Sequence, residues 1–485
     1  MHLSPRRALA WSFAERYANV VIGIGSTLIL ARLLTPAQVG IYSVCAAFTA
    51  VAAILRDFGV SEYLIQEREL DRPKLRAAYG IAIAVAWTLG IGIFLSRGAM
   101  ASFFEEPGVA QVLAVLALHF LLLPLSSPAF ALLNREMAFK QIALLQTACN
   151  AVGAVVTLTL AWQGYGFMSL PWGPVANVAT QTLLLAWLRP RDTLIWPGFA
   201  QARGVLQFGT RYMGARLIET LAKHVHEPVI AKAFGFASVG LFSRALGMIE
   251  MFHANVADAV VRVATPAFAA EHRAGRPLAA AYARATAIFV AVQWPFFGFV
   301  ALAAPELIYI LLGSQWTAAA PIATVLALAA LPAGLVELAP QMLSATGHVR
   351  RRLQVSLWVS PLHVAGVLVA STIGLRAVAA VTLLSGLVSM ALYARHLRAV
   401  LGIGAAAWWR ACGGSAVVTA ATLAGSAAAI FAARSVQWPA AVVLLCGGAV
   451  GFALWLTVAW RIGHPAWLEV SQLFQNRLRT RRPAS

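Results

Sequence analysis

Ionisable residues gather in an apolar stretch near the middle of the chain, RYMGARLIETLAKHVHEPVIAK (211–232). Spacings of three and four residues place several of them on one face of a helix: Arg216, Glu219, Lys223 and either His226 or Glu227. An anionic phosphate needs cations to replace its water, and a guanidinium stays protonated while its fork binds two phosphate oxygens. The stretch therefore predicts a cationic face that binds a phosphate-bearing ligand.

Other charged residues lie inside apolar runs and extend this candidate site. The cations expected to bind substrate are Arg16, Arg56, Arg216, Lys223, Arg244 and Arg262. The carboxylates expected to couple an ion or to pair with these cations are Asp57, Glu219 and Asp258. A charge at the bilayer centre costs about 2.5–3.5 kcal/mol on insertion scales, so such residues tend to face a partner or a water-filled cavity. Helical spacing also allows purely structural ion pairs: Arg216–Glu219, Lys223–Glu227 and Asp258–Arg262.

Other chemistries find little support in the residue pattern. His224 and His226 are two apart on a helix, point to different sides and make a poor metal pair. The pair Glu105 and Glu106 lies on a short loop and is interpreted as solvated charge. The chain has no phosphate-binding loop and no nucleophilic constellation, so the sequence predicts no catalytic residue, no metal, no cofactor and no use of ATP.

The composition predicts a membrane protein. The chain has 485 residues, of which 60% are hydrophobic and only 11% are charged, whereas soluble domains carry about a quarter charged residues. Apolar runs of about 20 residues, the length that crosses a bilayer as a helix, recur throughout. The fold class is therefore predicted as an all-α polytopic membrane protein with about 14 transmembrane helices. The predicted spans are 12–33, 40–66, 77–97, 109–133, 141–162, 170–188, 211–234, 239–264, 285–304, 319–345, 354–373, 377–394, 408–431 and 439–460.

The charge distribution predicts the orientation of these spans. The formal net charge is +19, which in a soluble protein would suggest nucleic acid as a partner. With 14 spans, most lysines and arginines of the loops fall on one side, and cationic loops mark the cytoplasmic side. The pattern therefore predicts cytoplasmic N- and C-termini and does not indicate nucleic acid binding.

An internal repeat predicts how the spans are organised. ARLLTPAQVGIYS (31–43) matches AKAFGFASVGLFS (231–243) at an offset of 200 residues. Six spans separate the two copies, so both run in the same direction and two parallel six-helix lobes around a central cavity are expected. The expected segments are an N-terminal lobe 1–188, a cytoplasmic linker 189–210, a C-terminal lobe 211–397, two additional helices 408–460 and a basic cytoplasmic tail 461–485.

Several segments together resemble a known family. LARLLTPAQVGIYSVCAAFTAVAAILRDFGVSEYLIQ (30–66) resembles the first hairpin of bacterial polysaccharide transporters, the Wzx-like oligosaccharide flippases of the MATE-like MOP superfamily. ALLNREMAFK (131–140), GLFSRALGM (240–248) and LSATGHVRRRLQVSL (343–357) are similar to later segments of that family. The ordered set covers the whole chain and implies the MOP fold.

The resemblance implies a function. Such flippases move undecaprenyl-pyrophosphate-linked oligosaccharide units across the bacterial cytoplasmic (inner) membrane by alternating access, for O-antigen, capsule or exopolysaccharide synthesis. The implied partners are this lipid-linked substrate and membrane lipids. Two further partners are left open: a coupling ion, either H⁺ or Na⁺, and a complex with a polysaccharide polymerase and a chain-length regulator.

Four alternatives are kept beside this hypothesis. A MATE-type drug or cation exporter would favour an anionic, aromatic cavity, whereas the candidate spans carry excess cations. A lipid II flippase would share the cationic cavity. A membrane glycosyltransferase or polymerase would need catalytic acids on a large outer loop, and the chain has none. A structural partner of a polysaccharide assembly complex would not need the cavity charges for export.

Overall fold

The computed structural model describes residues 5–57, 59–67, 69–193, 195–200, 202, 217–469 and 471. Within these residues every regular element is a helix. Eleven helical segments are long and apolar enough to cross a membrane. One of them, Leu217–Arg273, has 57 residues and contains two predicted spans. With the helices Pro5–Leu33 and Ser169–Leu188, which are not among the eleven, the predicted number of about 14 is reached. The all-α, polytopic prediction is confirmed.

The first compact unit comprises residues 1–240. Its helices are α1 (Pro5–Leu33), α2 (Pro36–Asp57), α3 (Val60–Gln66), α4 (Arg72–Phe104), α5 (Pro107–Leu122), α6 (Ser127–Arg135), α7 (Phe139–Trp162), α8 (Ser169–Leu188), α9 (Pro190–Thr193) and the first part of α10 (His226–Phe252). The main packing pairs are α4 with α5, α7 with α8 and α1 with α7. Small residues allow the close approach of α7 and α8, where Gly153 faces Gly173.

The second compact unit comprises residues 241–485. It contains the rest of α10, then α11 (Asp258–Arg273), α12 (Leu278–Leu311), α13 (Ala320–Gly334), α14 (Ala339–Ala345), α15 (Val349–Ala370), α16 (Leu375–Leu401), α17 (Ala405–Ser435) and α18 (Ala440–Arg461). Helix α12 packs against α13, α17 and α18, and these last two also pack against each other. The two C-terminal helices are therefore anchored on α12.

Two predicted spans are interrupted, and the helix is kinked between two others, where the local chemistry forbids a regular helix. Gly59 adopts a φ of 66° and separates α2 from α3, so the span predicted at 40–66 is two helices. Residues 217–223 form a helix that ends before α10. Pro228 explains this break, because its ring has no N–H to donate to the carbonyl of His224 and would clash with it. Gly235, with a φ of 79°, kinks α10 between the predicted spans seven and eight.

Candidate functional site

The two copies of the internal repeat contact each other reciprocally at one end of the first unit. A Cβ added to Gly40 would overlap the backbone carbonyl of Phe236, and a Cβ added to Gly240 would overlap the carbonyl of Pro36. The partner positions 36 and 236 are themselves related by the offset of 200. Glycine is required at both places because the two backbones approach too closely for any side chain. The residues that define the repeat therefore form a glycine crossing, Pro36–Gly40 against Phe236–Gly240.

Contacts with the end of α4 hold the glycine crossing. The Lys232 ammonium donates to the Glu105 carboxylate at 3.0 Å and to the Phe103 carbonyl at 2.9 Å. The rings of Phe104 and Phe236 meet edge to face with their centroids 6.1 Å apart. The Lys232–Glu105 pair is largely exposed, so water can replace it at little cost. Helices α2, α4 and α10 are thus joined by a close backbone contact, and the ion pair beside it can be lost to water at little cost.

Arg56 and Asp57 form an ion pair at the end of α2. The Arg56 Nη2 atom lies 2.8 Å from Asp57 Oδ1, and Nε of the same arginine also donates to this oxygen at 3.1 Å. The guanidinium carbon lies 5.1 Å from the ring centroid of Phe120. The Arg56 side chain is 13% exposed, whereas that of Asp57 is 51% exposed. The structure therefore brings these two predicted residues together, with the cation inside and the carboxylate facing out.

Arg244 is held without a carboxylate. Its guanidinium carbon lies 5.6 Å from the ring centroid of Trp316, a fully buried residue. Its Nε atom is buried, and among the described residues Arg244 has no hydrogen-bond or ion-pair partner. A cation on an aromatic face gains about 0.5–2 kcal/mol, which does not replace the hydrogen bonds that the guanidinium made in water. Arg244 is therefore a cation that an anionic ligand can satisfy.

The predicted charged face around Lys223 is not one continuous helix. The helix over residues 217–223 ends at a break over residues 224–225, and α10 begins at His226. Glu227 faces His224, with 3.6 Å between Oε1 and Nδ1, whereas the expected partner was Lys223. Lys223 is exposed and Glu219 is half-buried. Arg216, which the sequence placed on the same face, lies outside the described residues.

The remaining predicted site residues are placed separately. Arg16 is half-buried on α1. Asp258 and Arg262 are both exposed on α11, and no ion pair joins them in the described part of the chain. The expected Asp258–Arg262 pair is therefore absent there. A π-helical turn, His253–Ala257, precedes Asp258 and shifts the phase of the helix, so residues on either side of it do not follow one regular helical spacing.

The structure brings together two clusters of polar side chains that the sequence does not predict. In the first unit, Asn150 donates to Asn19 at 3.1 Å and accepts from Asn177 at 2.8 Å, which links α1, α7 and α8. In the second unit, His253 Nδ1 lies 3.8 Å from Glu337 Oε1. Each residue comes from a different span, so no local spacing connects them. Within the described residues no cluster of ligating side chains could hold a metal.

Comparisons with known proteins agree with this architecture. The chain matches the family described as polysaccharide biosynthesis protein over residues 29–321. It is 22% identical over 325 residues to the lipopolysaccharide biosynthesis protein WzxC of Escherichia coli (strain K12), covering 66% of each chain. It is 24% identical over 331 residues to the succinoglycan biosynthesis transport protein ExoT of Rhizobium meliloti (strain 1021), covering 66% of this chain and 65% of ExoT. The matches thus span slightly less than two thirds of these relatives' length.

Two solved structures share the fold. An inward closed conformation of the lipid II flippase MurJ superposes with a TM-score of 0.76 at 11% identity, covering 93% of this chain and 98% of MurJ. An inward-facing multidrug resistance MATE family transporter of the MOP superfamily superposes with a TM-score of 0.65 at 15% identity, covering 79% of this chain and 94% of that one. At these identities the similarity concerns the fold, and it confirms the predicted MOP fold.

Proposed function

Because the chain belongs to the polysaccharide biosynthesis protein family, we propose that it is a flippase for undecaprenyl-pyrophosphate-linked oligosaccharide units. It moves them across the bacterial inner membrane by alternating access during the synthesis of a surface polysaccharide, with both of its own termini in the cytoplasm. The similarity to ExoT, a biosynthesis transport protein, and the multi-pass fold shared with MurJ support transport rather than catalysis.

The environment of Arg244 carries this proposal. A guanidinium inside a span is costly, and it is usually neutralised by a carboxylate or faces water. Arg244 has an aromatic face on one side and no carboxylate among the described residues. A pyrophosphate supplies the two oxygens that a guanidinium fork binds, so the arginine suits an anionic headgroup better than a cationic drug.

Arg56 is the corresponding cation of the first unit. Its partner Asp57 is half-exposed and adjacent in sequence, so the ion pair can open without a backbone change. A phosphate oxygen can then take the place of the carboxylate oxygen. In this proposal Asp57 neutralises Arg56 when substrate is absent, and Glu219 and Asp258 bind the coupling ion, H⁺ or Na⁺. Arg16, Arg216, Lys223 and Arg262 add positive charge along the path of the headgroup.

The glycine crossing supports the alternating-access part of the proposal. Two short segments meet backbone to backbone, and exposed polar groups hold the contact. The kink at Gly235, immediately before one of these segments, provides backbone freedom for a rotation. We infer that the glycine crossing closes the transport path on one side of the membrane and opens during the cycle.

Complementation of a strain that lacks the gene tests this function. The strain carries wild type, Arg244→Ala or Arg376→Ala, and the last is a matched control because Arg376 is an exposed arginine at the start of α16. The measurements are surface polysaccharide, lipid-linked repeat units inside the cell and membrane abundance of each variant. The proposal expects lost polysaccharide and accumulated repeat units for Arg244→Ala alone. Normal export with Arg244→Ala at wild-type abundance would reject a substrate-binding role for this arginine.

A further inference from the structure

A cavity of 560 Å³ lies entirely within the second unit. It is a partly open cavity, lined by Trp294 of α12, the segment that follows α13, the last three turns of α16 and the start of α17. Most of its lining is apolar, including Val336, Met390 and Ile403. The indole N–H of Trp294 donates to the Leu331 carbonyl at 2.8 Å, so this ring offers only its carbon surface. The volume is within the usual range of about 300–1,000 Å³ for small-molecule sites.

Two arginines give the cavity a charged end. Arg395 and Arg398 lie on the last turns of α16, and both are exposed. In the described part of the chain neither has an ion-pair or hydrogen-bond partner. Several other exposed arginines do have one: Arg284 pairs with Glu469, Arg276 with Glu271 and Arg434 with Glu306. The guanidinium groups at this cavity are therefore open to an anionic ligand from outside the chain.

The charged and apolar parts of the cavity are ordered along one helix. Met390 and Arg398 are eight residues apart on α16, which corresponds to about 12 Å at 1.5 Å per residue. Helix α16 ends at Leu401, Gly402 caps it in the left-handed conformation, and α17 begins after a short loop. Arginine and tryptophan at the ends of consecutive spans mark the membrane–water interface. The arginines thus lie at headgroup level, and the apolar lining extends toward the hydrocarbon.

We propose that this cavity binds one anionic phospholipid of the surrounding bilayer. The arginines bind the headgroup phosphate, and part of an acyl chain fills the apolar space beside Met390 and Val336. A soluble anion would leave the apolar volume unused, and a zwitterionic phospholipid would bring a cationic ammonium group, together with its phosphate, next to the two arginines. Basic pockets between helices at a membrane surface are suited to such headgroups. The proposal concerns a lipid that remains bound and does not rest on the transport function.

Native mass spectrometry of the full-length protein in detergent tests the site with defined lipids. The probes are dioleoyl-phosphatidylglycerol and dioleoyl-phosphatidylcholine, with undecaprenyl phosphate and inorganic phosphate as competitors. The double variant Arg395→Gln/Arg398→Gln removes the cations. Arg376→Gln removes one exposed charge from the opposite end of the same helix and is the control. Ala391→Phe places a ring at the exposed edge of the cavity without changing charge, in case the double variant is unstable.

The expected result is one retained phosphatidylglycerol, bound about tenfold or more tightly than phosphatidylcholine. Both cavity variants lose this lipid, Arg376→Gln keeps it, and inorganic phosphate does not displace it. Equal binding of the two phospholipids, equal loss in the control, or full retention in both cavity variants would overturn the proposal. Displacement by undecaprenyl phosphate at lower concentration than phosphatidylglycerol would also overturn it, because the site would then belong to the substrate's tail.

Discussion

The two units differ in how completely they satisfy their polar side chains. In the first unit the three amides of Asn19, Asn150 and Asn177 bond to one another, and Arg56 bonds to Asp57. Among the described residues, most of the buried side-chain polar atoms without a hydrogen-bond partner lie in the second unit: Arg244, Thr286, Gln293, Gln341, Trp408 and Thr419. Unpartnered polar atoms cost stability, so their retention indicates a use other than folding.

This difference suggests that polar side chains contribute mainly to stability in one unit and mainly to substrate binding in the other. Among the described residues, the first unit leaves only His224 Nδ1 and Glu227 Oε2 as buried side-chain polar atoms without a hydrogen-bond partner, and its asparagine amides are expected to act mainly on stability. The second unit keeps a cation without a carboxylate, and its polar groups are expected to act mainly on substrate. Substitutions in the two units should therefore separate into those that change the amount of folded protein and those that change transport per molecule.

The largest effect is expected for Arg244→Ala in the second unit. Hydrogen bonds to a charged group contribute about 1.5–3 kcal/mol, so transport per molecule should fall about 10- to 100-fold. Because the arginine has no carboxylate partner, its removal leaves no buried anion, and the melting temperature should not decrease. Transport in proteoliposomes and thermal unfolding measure both quantities. A large loss of stability with normal transport would contradict the comparison.

The opposite outcome is expected for Asn150→Ala in the first unit. The substitution removes two hydrogen bonds and leaves the amides of Asn19 and Asn177 without these partners. The free energy of unfolding should fall by about 1–3 kcal/mol, while transport per folded molecule stays the same. Asn150→Gln, which keeps both an amide donor and an amide acceptor, is the matched variant and should lose less. If Asn150→Ala abolished transport at normal stability, the asparagine cluster would itself belong to the substrate site.

A pH effect is expected at the end of the second unit. The Nδ1 atom of His464 accepts from the Ala466 N–H at 3.1 Å, so Nε2 carries the proton and donates to the Ser415 hydroxyl at 3.0 Å. That hydroxyl in turn donates to the Ala287 carbonyl at 2.9 Å. Burial lowers the pKa of His464 below its ordinary value. The unfolded chain therefore binds the proton more readily, and stability is lost as the pH falls below about 6.5.

Thermal unfolding at about pH 8 and about pH 5.5 checks this dependence. The wild type should lose more stability between the two values than His464→Gln, because glutamine has no proton to gain. The direction follows from the lowered pKa, since the neutral form is the one that the folded state favours. An identical pH dependence in the two proteins would mean that His464 does not contribute to it.

The smallest effect is expected for the Arg56–Asp57 pair. Asp57 is half-exposed, and an ion pair of this kind contributes about 0.2–1 kcal/mol. Asp57→Asn should change the free energy of unfolding by no more than about 1 kcal/mol. The substitution removes the carboxylate that pairs with Arg56, so Arg56 then lacks a carboxylate partner, as Arg244 does. A double-mutant cycle with Arg56→Gln gives the coupling energy. A coupling above about 3 kcal/mol would place this pair among strongly buried ones and would weaken its assignment as an exchangeable pair.

Much of the fold follows from the sequence because hydrocarbon imposes a simple rule. Backbone groups in lipid must be satisfied within a helix, so apolar runs of sufficient length predict the spans. The interruptions of these spans depend on single residues. Pro228 ends the helix at residue 223 through a single missing N–H, and Gly59 divides a span through one backbone angle. An average over an apolar window does not register either of them.

The candidate site was only partly predictable for a related reason. Arg244 was identified because a single charge in an apolar run is visible in the sequence. Its contact with Trp316 joins residues 72 positions apart, and no periodicity reports it. Ion pairs inferred from helical spacing require a continuous helix. The helix breaks at residues 224–225, and Glu227 therefore contacts His224 and does not form the expected pair with Lys223. The repeat marks both glycines of the glycine crossing in the sequence, but it does not predict that they contact each other's segments.

Reconstituted translocation tests the central claim most directly. Purified wild type and Arg244→Ala are placed in phospholipid vesicles with an undecaprenyl-pyrophosphate-linked oligosaccharide, and the fraction of substrate that reaches the opposite leaflet is followed over time. The account predicts translocation by the wild type and a rate about 10- to 100-fold lower for the variant, with Arg376→Ala unchanged. Equal rates for wild type and Arg244→Ala, with both proteins folded, would contradict the assignment of Arg244 to the headgroup.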